Sequence, residues 1–481
     1  MLAAPARAGE GAGLARVRAQ GVLRWGGDIQ GGEPYVFQDP EDSSRLIGFE
    51  AEIAAGLSRR LDVRPEFVQN DWQNLIPSLE RGDFDMIMNG LEVTPARRAR
   101  VAFTRPYYAF SETLVVRRDE AAVHDLGDLR GRRVGTLNGS LAYDLLRQAP
   151  GIETVLYEGV EEPYIDLEQG RVDAVLLDNI IADRYGLVRP DLRAAATVGQ
   201  GVYAIAVRPD EPALLQAIDG ALAGMIADGE LRAILERWHL WDARQEALAA
   251  TGRGEPAVTS AAPKAARSVL TLAELRLFLR ATGFTVLISA VAMLLAVAGG
   301  LLLSVARRYG GALLGALASV YIELFRGTPL LLQLYVLYYG LAPVLRLDAF
   351  TAAVVGLGMN YAAYEAELYR AGLEAVPVGQ TEAALSLGMS RGLALRRIVL
   401  PQALRVALPG VANDFIALLK DSSLVSVITV VELTKQMTIT SVDVRGWLGP
   451  GLLCAALYLA LSYPLSRLAR SLERRLVPVP T

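Results

Sequence analysis

The sequence predicts an α/β domain followed by an all-α transmembrane domain of about five helices. Three observations predict this. Residues 21–241 alternate short apolar strands with helical patterns, as parallel α/β units do. Beyond Leu270, apolar runs long enough to cross a bilayer recur. Between them, residues 243–268 turn to Ala, Gly, Pro, Thr and Ser, the composition of a linker. At 52% hydrophobic, the 481-residue chain is too apolar for one soluble enzyme and too charged for a membrane bundle alone.

Composition removes several function classes. The net charge is only −4 and no basic tract is interleaved with aromatics, which argues against nucleic acid. The single cysteine, Cys454, has no disulfide partner, and His124 and His239 lie far from ligand-type clusters, so no metal site is expected. No GxxxxGK[ST] phosphate loop occurs, so any ATP is expected on another chain.

Residues 1–19 read as a tail or signal-peptide remnant: they lack an apolar core, but Ala6-Arg7-Ala8 looks like a cleavage end. Val22–Trp25 reads as a strand running into Gly26-Gly27-Asp28, and Phe49–Leu61 as a helix. Further strands are Asp85–Met88, ending at Asn89-Gly90, then Arg133–Thr136 and Asp173–Leu177, followed by Asp178. Ligands of open α/β sheets bind beyond the carboxyl ends of strands, so the polar residues there are site candidates. Thr94 can cap a helix with Pro95 in its first position, and Arg97 projects from that first turn. Alone, Arg97 reads as a solvated helix arginine, although its guanidinium offers a fork to a carboxylate.

Asp71-Trp72-Gln73-Asn74-Leu75-Ile76-Pro77, the Asn89–Arg97 segment and Phe103-Thr104-Arg105-Pro106-Tyr107-Tyr108 together resemble the extracellular solute-binding proteins (family 3 type) of polar amino acid ABC importers. The resemblance covers about residues 20–242. It implies a bilobal, periplasmic-binding-protein-like (type II) fold, with lobe 1 at about 20–111 and 203–242 and lobe 2 at about 112–202. It also implies a closing cleft in which Arg97 binds a substrate α-carboxylate, helped by Asn89-Gly90 and by Ser140 at a helix start. Asp178 would bind the α-ammonium, Tyr35 and Trp72 would pack on the side chain, and Asp28 could reach its polar end. Tyr35 and Trp72 also read as core aromatics, and Asp178 as a helix cap. Glu92 and Ala96 depart from the family pattern of Ser/Thr and Glu at these positions. Glu92 favours a cationic ligand if it points inward, and otherwise an ion pair with Arg97 or Arg98. The expected ligand is a polar L-amino acid of basic or glutamine type.

Five spans are expected at 281–306, 313–341, 349–364, 406–431 and 446–466. The second is broken by Glu323, Arg326 and Pro329, with the two charges spaced to pair on one helix face. In the fourth, Asp414, Lys420 and Asp421 either line a path or lock helices together. Between the third and fourth spans lies a charged segment of short helices, with Gly388 suited to a C-terminal cap. Glu382-Ala383-Ala384 with Gly388, Leu400-Pro401-Gln402-Ala403, Lys420–Leu424 and Arg326–Leu331 resemble permeases of the same importers (histidine/glutamine permease type). Their cytoplasmic EAA loop docks on the ATPase, which makes Glu382 to Gly388 the implied coupling helix. Arginines follow spans one, three and five, placing that loop and the C-terminus in the cytoplasm and residues 1–268 outside.

The implied protein is a transport subunit, not an enzyme: a binding protein fused to an inner-membrane permease. Its implied partners are an amino acid ligand, a separate ATP-binding subunit, a second permease copy and the bilayer, with no cofactor of its own. A ligand-gated channel with a glutamate-receptor-like domain is the alternative. However, the binding domain here finishes before the first span, and no TVGYG-like filter is present.

Overall fold

The computed structural model describes residues 12–42, 44–251, 270–444 and 446–476. They form two compact units divided near residue 265.

The first unit is built on one sheet. Its strands are β1 (Val22–Gly27), β4 (Arg64–Gln69), β5 (Met86–Ile87), β6 (Ala102–Arg117), β7 (Arg133–Leu137), β8 (Glu153–Tyr157), β9 (Ala174–Asp178) and β10 (Leu192–Val207), in the order β4-β1-β5-β10-β6-β9-β7-β8. A small ribbon pairs β2 (Phe37–Gln38) with β3 (Leu46–Ile47). β4, β1 and β5 are parallel, as are β8, β7 and β9. The 16-residue strands β6 and β10 run antiparallel between these groups and are shared by both, so the sheet forms two lobes joined by two crossing strands. β5, β9 and the inner half of β10 are apolar and buried, as strands covered on both faces must be.

Two stretches expected to lack structure are helical. Ala12–Gln20, expected in the tail, docks by burying Val17 and reaching Asp85 and Glu211 with Arg16. Ala243–Thr251, expected to begin the linker, is held at β6, where the Gln245 side chain accepts from the Ala109 amide and donates to its carbonyl, both at 2.8 Å. The rest of the expected linker lies outside the described residues.

The second unit is all helical. Leu272–Tyr309 and Leu448–Ser471 are each long and apolar enough to cross a membrane, and Gly311–Gly327 with Leu330–Gly340 make a third, bent pair with a 109° break. Ala349–Ala375 and Leu400–Asp421, the other two expected spans, are less apolar, carrying Glu365, Glu367 and Arg370 in one and Arg405, Asp414 and Lys420 in the other. Large exposed apolar side chains separate the units: among the described residues of the first unit only Val188 stands out, whereas the second exposes Leu294, Leu302, Leu313, Val320, Leu452, Leu459 and many more. That surface suits lipid rather than water.

The break before Pro329 frees carbonyls that Gln333 and Asn360 recover. Gln333 Nε2 donates to Phe325 O at 2.9 Å and to Thr328 Oγ1 at 2.8 Å, and Asn360 Nδ2 donates to Gln333 Oε1 at 3.0 Å. The expected Glu323–Arg326 pair does not form. Arg326 instead lies 3.9 Å from Glu367 and over the Tyr364 ring, because the neighbouring helix brings those groups to its end.

Candidate functional site

The carboxyl ends of the strands bring three polar groups together. The first follows β1. Asp28 caps the turn at Ile29–Gly31: one carboxylate oxygen accepts from Gln30 N at 2.9 Å and the other from Trp72 N at 2.9 Å. Its own amide donates to Asn89 Oδ1 at 2.7 Å. Both Asp28 oxygens thus accept from amides of their own lobe.

The second group lies between the lobes. Tyr35 OH donates to Asp178 Oδ1 at 3.1 Å and lies 3.2 Å from Tyr203 OH. Asp178 ends β9 and accepts from Ile181 N at 3.0 Å, so it does cap the following turn. Burial pushes its carboxyl up to about 6. Beside it on β6 is Glu112, 1% exposed, with Oε2 buried and without a partner; burial and the neighbouring Asp178 and Glu92 push it up as well. The Gly90 amide donates to Glu50 Oε1 at 2.6 Å, and burial pushes that carboxyl up to about 7.

The third group is centred on Arg97. Thr94 Oγ1 accepts from Arg97 N at 3.2 Å and so caps the short helix Pro95–Arg98. The guanidinium lies over the Trp72 ring, 5.3 Å from its centroid. Its Nη1 pairs with the Glu92 carboxylate, and its Nη2 crosses to the second lobe and donates to Gly139 O at 2.9 Å. The other Glu92 oxygen accepts from Leu141 N at 3.2 Å, at the start of the helix Leu141–Gln148. Ser140 Oγ caps that helix by accepting from Tyr143 N at 3.1 Å. Of the two readings of Glu92, the ion pair with Arg97 is formed. The amides beside Ser140, expected to be free for an anion, already have acceptors.

Glu50, Glu112 and Tyr203 were not among the sequence-predicted residues. Glu50 reads as an ordinary acid in a helix's first turn, and Glu112 as one polar residue in an apolar strand. Only the strand crossing brings Glu112 opposite Asp178.

In the second unit, Val378–Ser386 is a helix on which Glu382 and Ala383 are exposed and Ala384 is buried. Gly388 has φ +79° and donates to Leu385 O at 2.9 Å, closing the helix with the left-handed turn glycine adopts at no cost. Val378, Leu385 and Leu387 are exposed beside it.

Residues 24–240 match the bacterial extracellular solute-binding proteins of family 3, and residues 296–478 match the binding-protein-dependent transport system inner membrane component. The ABC transporter arginine-binding protein 1 of Escherichia coli is 31% identical over 42% of this chain and 85% of its own length. The probable amino-acid permease protein YxeN of Bacillus subtilis is 43% identical over 33% of this chain and 72% of its own. The arginine transport system permease protein ArtQ of Bacillus subtilis is 37% identical over 33% of this chain and 74% of its own. The channel alternative gains no support from these relatives. The two matches follow one another along one polypeptide, next to apolar helices fit for a bilayer. The chain is an inner membrane protein and belongs to the amino acid ABC importers, as a family 3 solute-binding domain joined to a transport permease domain.

Proposed function

We propose that the first unit captures a basic, amino-acid-type solute outside the cell and that the permease domain passes it inward. The observation that carries this reading is the charged cluster spanning both lobes. Glu92 and Arg97 come from one lobe, Gly139 and Leu141 from the other, and Asp178 and Glu112 lie at the crossing. Glu92 already pairs with Arg97, whereas Asp178, charged above about pH 6, adds a further negative charge at the crossing. That imbalance suits a cationic ligand. A ligand contacting both lobes stabilises the closed state, which is the signal to the permease.

A separate ATPase subunit would supply the work, docking on the exposed helix Val378–Ser386 through Glu382–Gly388 and the apolar Val378, Leu385 and Leu387 beside them. The chain carries no phosphate loop of its own, and a second permease copy would complete the pore. The arginine distribution favours an outward first unit and a cytoplasmic coupling helix.

The test is uptake of labelled arginine into cells expressing the full chain with its ATPase. ATP-dependent accumulation is expected, and Asp178→Asn should remove it. Accumulation insensitive to Asp178→Asn would place the ligand elsewhere.

A further inference from the structure

The donors best suited to a ligand carboxylate in this cleft, Arg97 and the Leu141 amide, already have internal acceptors. Arg97 pairs with Glu92 and with Gly139 O. The Leu141 amide donates to Glu92 and the Tyr143 amide to Ser140. The Gly90 amide donates to Glu50. The Glu92 carboxylate, 6% exposed, therefore has the surroundings of a bound anion: a stacked guanidinium on one oxygen and a helix-start amide from the opposite lobe on the other.

We propose that Glu92 is a tethered stand-in for a ligand carboxylate, so that the cleft selects amino-acid-derived cations whose own carboxylate is absent or masked over the free α-amino acid. This rests on the reading of the cleft as the solute site. A free amino acid that reached Arg97 would have to displace Glu92. It would leave a buried, unpaired carboxylate next to Glu112 and Asp178, which is strongly unfavourable. A ligand that brings only positive charge meets no such cost. It leaves the Arg97–Glu92 pair in place and offers a partner to Asp178 and to the unpartnered Glu112 Oε2. Glu92 then acts on specificity in two ways, by filling the anion position and by repelling a second anion.

Full-length protein in lipid nanodiscs is titrated with arginine, with agmatine (the carboxylate deleted) and with argininamide (the carboxylate masked). The proposal expects agmatine and argininamide to bind at least about tenfold tighter than arginine, the equivalent of one charge-assisted contact. Glu92→Ser, which frees Arg97 and the Leu141 amide, should shift the arginine-to-agmatine ratio about tenfold or more toward arginine. Glu92→Gln, which keeps the size and loses the charge, should shift it the same way by less, and carries the test if the serine variant does not fold. Arginine binding as tightly as agmatine in the unmodified protein, or an unchanged ratio in both variants, overturns the proposal and leaves the basic-solute reading intact. Failure of all three compounds to bind folded protein overturns both.

Discussion

On the proposed reading Asp178 holds the ligand cation, and its environment gives it a pH signature. Burial holds its carboxyl at about 6, so it is charged above that pH and neutral below. Affinity for a cation should be level above pH 6 and fall by about tenfold per unit well below it. Titration calorimetry of the full chain from pH 5 to 8 reads this. Asp178→Asn should weaken binding on the order of tenfold to a hundredfold, one charge-assisted contact, and abolish the pH dependence. Glu50 acts on stability instead. Its carboxyl is raised from 4.5 to about 7, so the folded state binds the proton more tightly than the unfolded chain. The stability contributed by neutral Glu50 is fully present below about 4.5 and lost as pH rises through about 7. Glu50→Gln should flatten that slope in thermal scans at pH 4.5–8. The turn that carries Arg97 was readable from Thr94 and Pro95, which fix where it begins, whereas its place in a site came only from the family resemblance. The fate of Glu92 was not, because the choice between ligand and arginine depends on the second lobe's approach.

At the scale of elements, local chemistry was legible where one signal sets a boundary. The helix Phe49–Leu61 and the Gly388 turn follow from periodicity and capping alone. The helices Ala12–Gln20 and Ala243–Thr251 escaped, since a few docked polar contacts hold weak helical patterns that composition reads as tail and linker. Gly388 has open space around its Cβ direction, so only backbone strain opposes substitution. Gly388→Val should cost about 1–2 kcal/mol at the end of the helix Val378–Ser386 and, on the proposed docking of an ATPase there, reduce ligand-stimulated ATP hydrolysis. Gly388→Asn, which tolerates the left-handed region, should cost less. Gly300 is the opposite case: its Cβ would lie 2.4 Å from Glu365 Cβ, where the helices Leu272–Tyr309 and Ala349–Ala375 pass closely. Gly300→Val should force them apart, lowering the yield of folded permease on size-exclusion chromatography, with ligand binding by the first unit retained.

For the whole molecule, the division into an α/β half and a membrane half was readable because water and lipid impose different patterns on a chain. Depth was harder to read. Three of the five expected spans are apolar by composition, counting the bent pair as one, and the other two bury small and polar residues among their neighbours. Asp421, one of the charges that weakened the fourth span, accepts from Tyr361 OH at 2.7 Å and ties two of these helices together. The central claim is that one chain both captures and passes a basic solute through the acidic cleft around Asp178. The most direct measurement is titration of the full-length chain with arginine, lysine, histidine and their carboxamides, beside Asp178→Asn. The account predicts saturable binding of at least one of these cations, weakened about tenfold or more in the variant. A folded chain that binds none of them, or binds one equally well without the Asp178 charge, would contradict it.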